Sequence, residues 1–374
     1  MKKKIEKIVE EISSIPWKKD EYSKQSWGNW LHSVSSYVGR IKPAFAHWLI
    51  KICTSNNDVV LDPFCGIGTI PLEAHLLGRV AIGNDLNEYA YRISKAKFDI
   101  NGLNNEIDYL DNIKLELDDI SLKTVPNWVR EYYHDETLKE ILFLFDNFKN
   151  NKKHFLKGCL LGIVHGHRPQ HLSIRTGYII PYIPKPKPEI VYKEAIPKLK
   201  QKVKRMYKDG FDNIESKSKI LCENSNNLSL RDNLVDVIIS SPPYYETLDY
   251  VSTNKLRLWF CDVDDNSQKS LSKELIQNKN DYLTEMKKVG EEIKRILKRD
   301  GLIVFVLGDV HRGNKTINTA LDIKECYEKL GFISHGIIED EIPASRTTIV
   351  KYGGLDSINN KKKKLDRILL LTIK

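Results

Sequence analysis

The chain has 374 residues, 41% of them hydrophobic, and its 59 Lys and Arg against 50 Asp and Glu leave a formal charge of +9. Such a length supports a sizeable core in one large domain or two ordinary ones, so a globular protein is expected, and the positive balance is compatible with a polyanionic partner without establishing one. No segment reaches membrane-spanning length and the opening MKKKIEKIVEEISSIPW lacks the continuous apolar stretch of a secretion signal, so the expected location is the cytosol, with no membrane partner.

Six cysteines (Cys53, Cys65, Cys159, Cys222, Cys261 and Cys326) are scattered without a CxxC pair, which reads as reduced, mostly structural thiols. Along the chain, Ile5, Ile8, Val9 and Ile12 share one face of a short amphipathic helix that ends near Pro16. A second helix is predicted from Pro43, carrying Phe45, Trp48, Leu49 and Ile52. NDVVLDPFCGIGTIPLEAHLLGRVAIGNDL then divides into a strand at 59–61, a glycine-containing turn, a helix over about 70–77 and a strand at 80–83 that closes at Asp85. This is one half of a doubly wound α/β sheet.

More than a hundred residues follow that do not continue the alternation of strand and helix. They hold an acidic part (106–119), a helical part (137–165) and the loop HGHRPQHLSIRTGYIIPYIPKPKP, dense in basic and aromatic residues. The alternation resumes with strands near 220–222 and 235–240, a helix stopped at Gly301, an apolar strand at 302–307, a helix over about 322–330 and strands near 332–338 and 367–373. The predicted divisions are an N-terminal helix (1–25), a first catalytic part (26–100), an inserted, largely helical recognition region (101–217) and a second catalytic part (218–374).

Gly66 and Gly68 in LDPFCGIGT lie between a strand and a helix, where a missing side chain lets the backbone approach a nucleotide-type ligand. Pro71 occupies the place of the third glycine of the dinucleotide fingerprint and argues against a dinucleotide. Asp85 closes the second strand about seventeen residues after Gly68, where such folds put a carboxylate on ribose hydroxyls, and Asp62 is placed to accept from the loop's N–H groups. Alone, the glycine turn also reads as a tight turn in a packed sheet; its spacing to Asp85 favours a ligand.

In DVIISSPPYYETLDY a strand runs directly into two prolines, which donate no hydrogen bonds and force a rigid loop with unpartnered carbonyls. A nucleobase amino group is a suitable donor: the Ser241 hydroxyl and the Pro242 carbonyl can accept from it while Tyr244 offers a flat face for a base turned out of its duplex. Two acceptors aimed at those protons favour a pyramidal nitrogen with a usable lone pair.

These residues carry a resemblance. DPFCGIGT is similar to the cofactor motif, and SPPY (Ser241, Pro242, Pro243 and Tyr244) to the catalytic motif, of S-adenosylmethionine-dependent DNA amino-methyltransferases that modify cytosine N4 or adenine N6. The likeness extends over about 40–100 and 218–310. It implies a Rossmann-like, mostly parallel seven-stranded sheet with an inserted recognition domain. Asp62, Phe64, Gly66, Gly68 and Thr69 would line S-adenosylmethionine, Asp85 would bind its ribose, and Asn224 or Ser225 would read its adenine. Asn224 departs from the family's frequent Asp, although its oxygen can still accept from an amino group. YVGRIKPAFAHWLI resembles the segment that packs over the methionine end.

With the insertion as recognition domain, His167, Arg168, His171, Arg175, Lys185 and Lys187 suit contacts to the phosphates and bases of double-stranded DNA. No cysteine or carboxylate near His165, His167 and His171 completes a metal tetrahedron, so no metal is expected. Serine at 241 tends, by resemblance, to accompany cytosine N4; adenine N6 stays open, as does an RNA guanine-N2 methyltransferase with a similar cofactor motif. Cytosine C5 is disfavoured because no Pro-Cys nucleophile loop is present. A nucleic-acid binder without catalysis is the non-enzymatic alternative, and a cognate restriction endonuclease is left open as a partner.

Overall fold

The computed structural model describes residues 2–24, 27–176, 181–210, 217–243, 249–276, 281–312, 315–342 and 364–373. Helix α1 (Lys2–Ser13) buries Ile5, Ile8 and Ile12, the expected stripe. Helix α2 (Pro43–Cys53) starts with proline at its first turn, and its most buried side are Phe45, Leu49, Ile50 and Cys53; Trp48 and Ile52 are only half-buried. Strand β1 (Val59–Asp62), α3 (Thr69–Leu76), β2 (Val80–Asn84) and α4 (Glu88–Ala96) form the first half of the sheet.

The next stretch is all helical: α5 (Leu103–Asp111), the single turn α6 (Asn127–Arg130), α7 (Asp135–Asn150), α8 (His154–Val164) and α9 (Ala195–Met206). The helix predicted over 137–165 is thus two helices, separated where Lys152 adopts a positive φ of 53°. α8 packs on α4, and one continuous core joins Tyr89 and Ile93 of α4 to Leu138 and Leu144 of α7, Leu160 of α8 and Leu199 of α9. The helical stretch therefore shares its core with the cofactor-side half of the chain.

The second half comprises β3 (Lys219–Leu221), β4 (Val235–Ser240), α10 (Tyr250–Trp259), α11 (Asp265–Glu274), α12 (Tyr282–Ile296), β5 (Leu297–Gly308), a hairpin of β6 (Val310–Arg312) and β7 (Lys315–Ile317), α13 (Thr319–Lys329), β8 (Phe332–Ile342) and β9 (Lys364–Ile373). Gly301 does not stop the preceding helix as expected. α12 ends at Ile296 because the carbonyls of Arg295 and Ile296 accept from the N–H groups of Asn233 and Leu234, and the chain enters β5 five residues early through an irregular register beside Val235 and Val237.

The seven strands run in the order β3-β2-β1-β4-β5-β9-β8, with β9 antiparallel to both its neighbours and all other pairs parallel. In β4, Val237 and Ile239 face a core with α1 and α2, while Ile238 faces one with α12 and α13; Leu302 and Val304 alternate with Ile303 and Phe305 in β5 in the same way. Both faces are covered, so the central strands are apolar throughout. Truncating Ile238 or Ile239, both fully buried, to Ala costs about 2–5 kcal/mol. The fold is a Rossmann-like α/β sheet whose strand order reverses between β1 and β4.

Candidate functional site

At that reversal β1 continues to β2 on one side while β4 leads to β5 on the other, so the loops leaving β1 and β4 diverge above the sheet and open a crevice at its C-terminal edge. Ser240, the last residue of β4, donates its hydroxyl to Asp62 Oδ1 at 2.6 Å and so ties the two strand ends together. Asp62 also accepts from Phe64 N at 3.1 Å, the loop contact foreseen for it. Gly66 stands at φ 51°, and its N–H donates to Asp85 Oδ2 at 2.8 Å; Asp85 Oδ1 accepts from Asn87 N at 2.9 Å.

These loops surround an open cavity of about 840 Å³, lined on one wall by Asp62, Phe64, Gly66, Thr69 and Asp85, on another by Asn224 and Ser225, and at the end of β4 by Ser241 and Pro243. The structure thus brings together nine of the residues singled out from sequence. Pro242 is buried beside them without lining the cavity, and Tyr244 lies outside the described residues. Gly68 is also absent from the lining. Its φ of 72° caps α3, and a Cβ there would stand 2.6 Å from Ser94 Oγ of α4, so this glycine is required by helix packing. Ser225 is tied into the wall, donating to Pro63 O at 2.8 Å and accepting from Asn84 Nδ2 at 3.2 Å, whereas Asn224 uses its oxygen only for Asn226 N, at 3.2 Å.

The lining also includes residues that sequence reasoning did not single out, among them Tyr37, Arg40, Ile41, Asn87, Tyr250 and Glu274. Tyr37 stacks on Tyr250 with ring centroids 5.8 Å apart and planes 16° apart, its ring lying over Gly66. Arg40 donates from Nη1 to His32 O at 2.5 Å, and among the described residues no carboxylate pairs with it. The only available signal was that these residues fall in or near segments whose family likeness was noticed as a whole.

Burial dominates the electrostatics. It pushes the Asp62 carboxyl up to about 7 despite the hydrogen bonds from Ser240 and Phe64, and Asp85 up to about 6 despite those from Asn87 and Gly66. Below the cavity, Glu73 accepts from His32 Nε2 at 2.7 Å and His47 Nδ1 at 3.0 Å, while buried Lys97 is lowered by desolvation to about 7. Two confined carboxylates that hold protons more tightly than free ones, the more exposed Glu274, and a guanidinium without an acidic partner among the described residues give the cavity both hydrogen-bond acceptors and donors.

Of the residues proposed to meet DNA, Arg168, Arg175, Lys185 and Lys187 are exposed and His167 is half-buried. His171 turns into its own loop: Nδ1 lies 3.1 Å from Arg168 N, the ring covers Gly166, and burial holds its pKa down at about 4. That makes it a loop anchor.

A crevice at the switch point of a doubly wound sheet, lined by Asp62, Asp85 and a proline-containing loop, is where α/β folds of this class bind their ligands. The N6/N4 DNA methylase family profile matches residues 2–96 and 235–354, more than half of the chain, and the chain belongs to that family. The cofactor is accordingly S-adenosylmethionine. Among characterised proteins the chain is similar to the type II methyltransferase M.BsoBI of Geobacillus stearothermophilus, at 24% identity over 72% of this chain and 60% of that one. It is also similar to the type II methyltransferase M.MjaII of Methanocaldococcus jannaschii, at 26% identity over 33% of this chain and 22% of that one. The chain thus spans less than two thirds of the length of these relatives. Solved structures that align with it include S-adenosylmethionine-dependent methyltransferases from Methanosarcina mazei (12% identity, 87% of this chain and 96% of that one, TM-score 0.36) and Corynebacterium glutamicum (10%, 88% and 87%, TM-score 0.32).

Proposed function

We propose that this protein methylates an exocyclic amino group of a base turned out of double-stranded DNA, with cytosine N4 as the target. The observation that supports the reading most directly is the shared cavity: Ser241 and Pro243 of the catalytic motif line the same space as Asp62, Gly66 and Asp85 of the cofactor motif. A methyl donor and an acceptor amine held there are neighbours, and positioning supplies most of what this chemistry needs.

S-adenosylmethionine supplies an electrophilic methyl group on a positively charged sulfur. Asp85 keeps acceptor capacity beyond its bonds to Gly66 and Asn87 and takes the ribose hydroxyls; Asp62 provides the nearby negative charge that favours a cationic centre. Asn224 and Ser225 face the adenine, and Arg40 receives the carboxylate of the methionine end. At the end of β4 the Ser241 hydroxyl accepts from the amino protons of the target base, and the carbonyl of Pro242, beside the cavity lining, is the second acceptor once the base is seated. They draw the nitrogen lone pair out of the ring, which makes that nitrogen nucleophilic without a covalent enzyme intermediate. Tyr244 provides the stacking face. Serine at 241 favours cytosine over adenine by family resemblance alone; a cognate restriction endonuclease and a cytosolic location belong to the same reading.

The test is transfer of a tritiated methyl group to mixed-sequence duplex DNA and to bulk transfer RNA, followed by digestion and mass spectrometry of nucleosides. N4-methylcytosine is the expected product. N6-methyladenine corrects the base, and label confined to RNA overturns the substrate.

A further inference from the structure

We infer that the basic face of α9, together with the adjoining 165–171 loop, is the surface that grips the phosphate backbone of duplex DNA while a base occupies the cavity. The inference rests on the DNA reading proposed above and adds to it a surface that the exposed 165–188 loop alone does not define.

A groove of about 770 Å³ runs along α9, lined by Lys198, Lys204, Arg205 and Lys208 with Gln170 from the facing loop, and no carboxylate lines it. Lys204 and Lys208 are exposed. None of these four cations has a carboxylate partner among the described residues: Lys198 donates to the Pro169 carbonyl at 3.2 Å, Lys208 lies 4.8 Å above the Trp30 ring, and the half-buried Arg205 has no partner for its Nε. Arg168 is near enough to weigh electrostatically on Arg205. By contrast Lys200, on the flank of the same helix, is neutralised by Asp111. Unpaired like charges at this density repel one another and cost stability, and a polyanion relieves the repulsion.

Position supports the same occupant. Lys202 is buried and donates to Ser33 O at 2.5 Å, and Asp209 accepts from Trp30 N at 2.7 Å, so α9 is fastened to the 30–33 segment. Four residues further on, Tyr37 lines the central cavity. Four residues of chain span at most about 14 Å, and successive phosphates of one strand are separated by about 3.4 Å along the helix axis. The groove and the cavity are thus joined through one short stretch of chain, the arrangement the inference needs for flanking phosphates to meet the groove.

The experiment measures affinity for a fluorescent duplex from about 0.05 to about 0.3 M salt, with the whole chain and with Lys204→Gln/Arg205→Gln/Lys208→Gln. S-adenosylmethionine affinity is measured beside it. The variant should bind duplex about 10- to 100-fold more weakly at intermediate salt and lose about 3 from the slope of log K against log salt, at about 0.9 per phosphate contact, with cofactor affinity unchanged. The pair Lys204→Gln/Lys208→Gln, both exposed, covers the case in which the triple variant does not fold and should lose about 2. Unchanged duplex affinity and slope in the folded variants, alongside normal binding by the parent, overturn the groove and leave the DNA reading standing. No duplex binding by the parent removes both. Loss of transfer RNA binding without loss of duplex binding assigns the groove to RNA, and thermal protection of the parent alone by inorganic phosphate, with duplex binding unaltered, reduces it to a small-anion site; either overturns the inference.

Discussion

The central cavity and the α9 groove border the same stretch of chain, residues 30–41, yet they are charged in opposite senses. The cavity collects Asp62 and Asp85, holds them through backbone and serine donors, and confines them so that burial raises their affinity for protons or for another positive charge. The groove collects Lys198, Lys204, Arg205 and Lys208, which have no carboxylate partner among the described residues. A net charge of +9 says nothing of this separation. One stretch of chain can therefore border a site for a small ligand, where carboxylates predominate beside the single guanidinium of Arg40, and a separate all-cationic groove suited to a polyanion.

Three perturbations test how separate the two sides are. The largest effect is expected from Ser241→Ala, which removes one acceptor from the amino protons: turnover should fall by about 10²–10³, while affinity for cofactor and duplex stays within about twofold, measured by single-turnover methyl transfer beside binding titrations. Near-parental turnover would remove Ser241 from the chemistry. Asp85→Ala should weaken S-adenosylmethionine by about 10- to 100-fold in a calorimetric titration and leave duplex affinity alone, since it loses hydroxyl acceptors and leaves Gly66 N–H without its partner. A matching loss of DNA affinity would show that the two sides are coupled.

The smallest expected effect concerns pH. Asp62 and Asp85 are raised to about 7 and about 6, so both hold protons as pH falls through that window and the cavity loses its negative charge. Cofactor affinity should therefore decline by about tenfold from pH 7.5 to pH 5.5, a roughly chosen span bracketing these values. For the empty protein the sign is reversed: a carboxylate whose folded pKa exceeds its unfolded one destabilises the fold as pH rises from about 4 to about 7, so thermal protection by the cofactor should be larger at the upper end. Flat affinity across the window would mean that neither carboxylate faces the ligand's charge.

Much of the site was legible because its signals are local. β4 matches its predicted span residue for residue, bounded by a polar stretch before and two prolines after, and β1 and β2 differ by a single residue at one end. The glycine turn and Asp85 were singled out by their spacing and the serine-proline loop by its family resemblance, and the fold brings all three to one cavity. Other readings failed for equally physical reasons. Gly301 does not stop α12, because the N–H groups of residues 233–234 capture the helix's last carbonyls, and the closeness of Ser94 to Gly68 joins residues of two different helices. α9 was not singled out, although Leu199, Val203 and Met206 bury one face of it at helical spacing.

By itself the sequence determined the alternation of strands and helices, the apolar central strands and the identity of the two chemical loops, since hydrophobic period, glycine and proline act within a few residues. Only the tertiary structure decided that Ser240 reaches Asp62 across 178 positions, that Tyr37 and Tyr250 stack in the cavity lining, and that α9 lies against residues 30–33 with its unpaired cations together. Those contacts join segments far apart in the chain, and the packing of α8 on α4 and the pairing of β1 with β4, which create them, have no local signature.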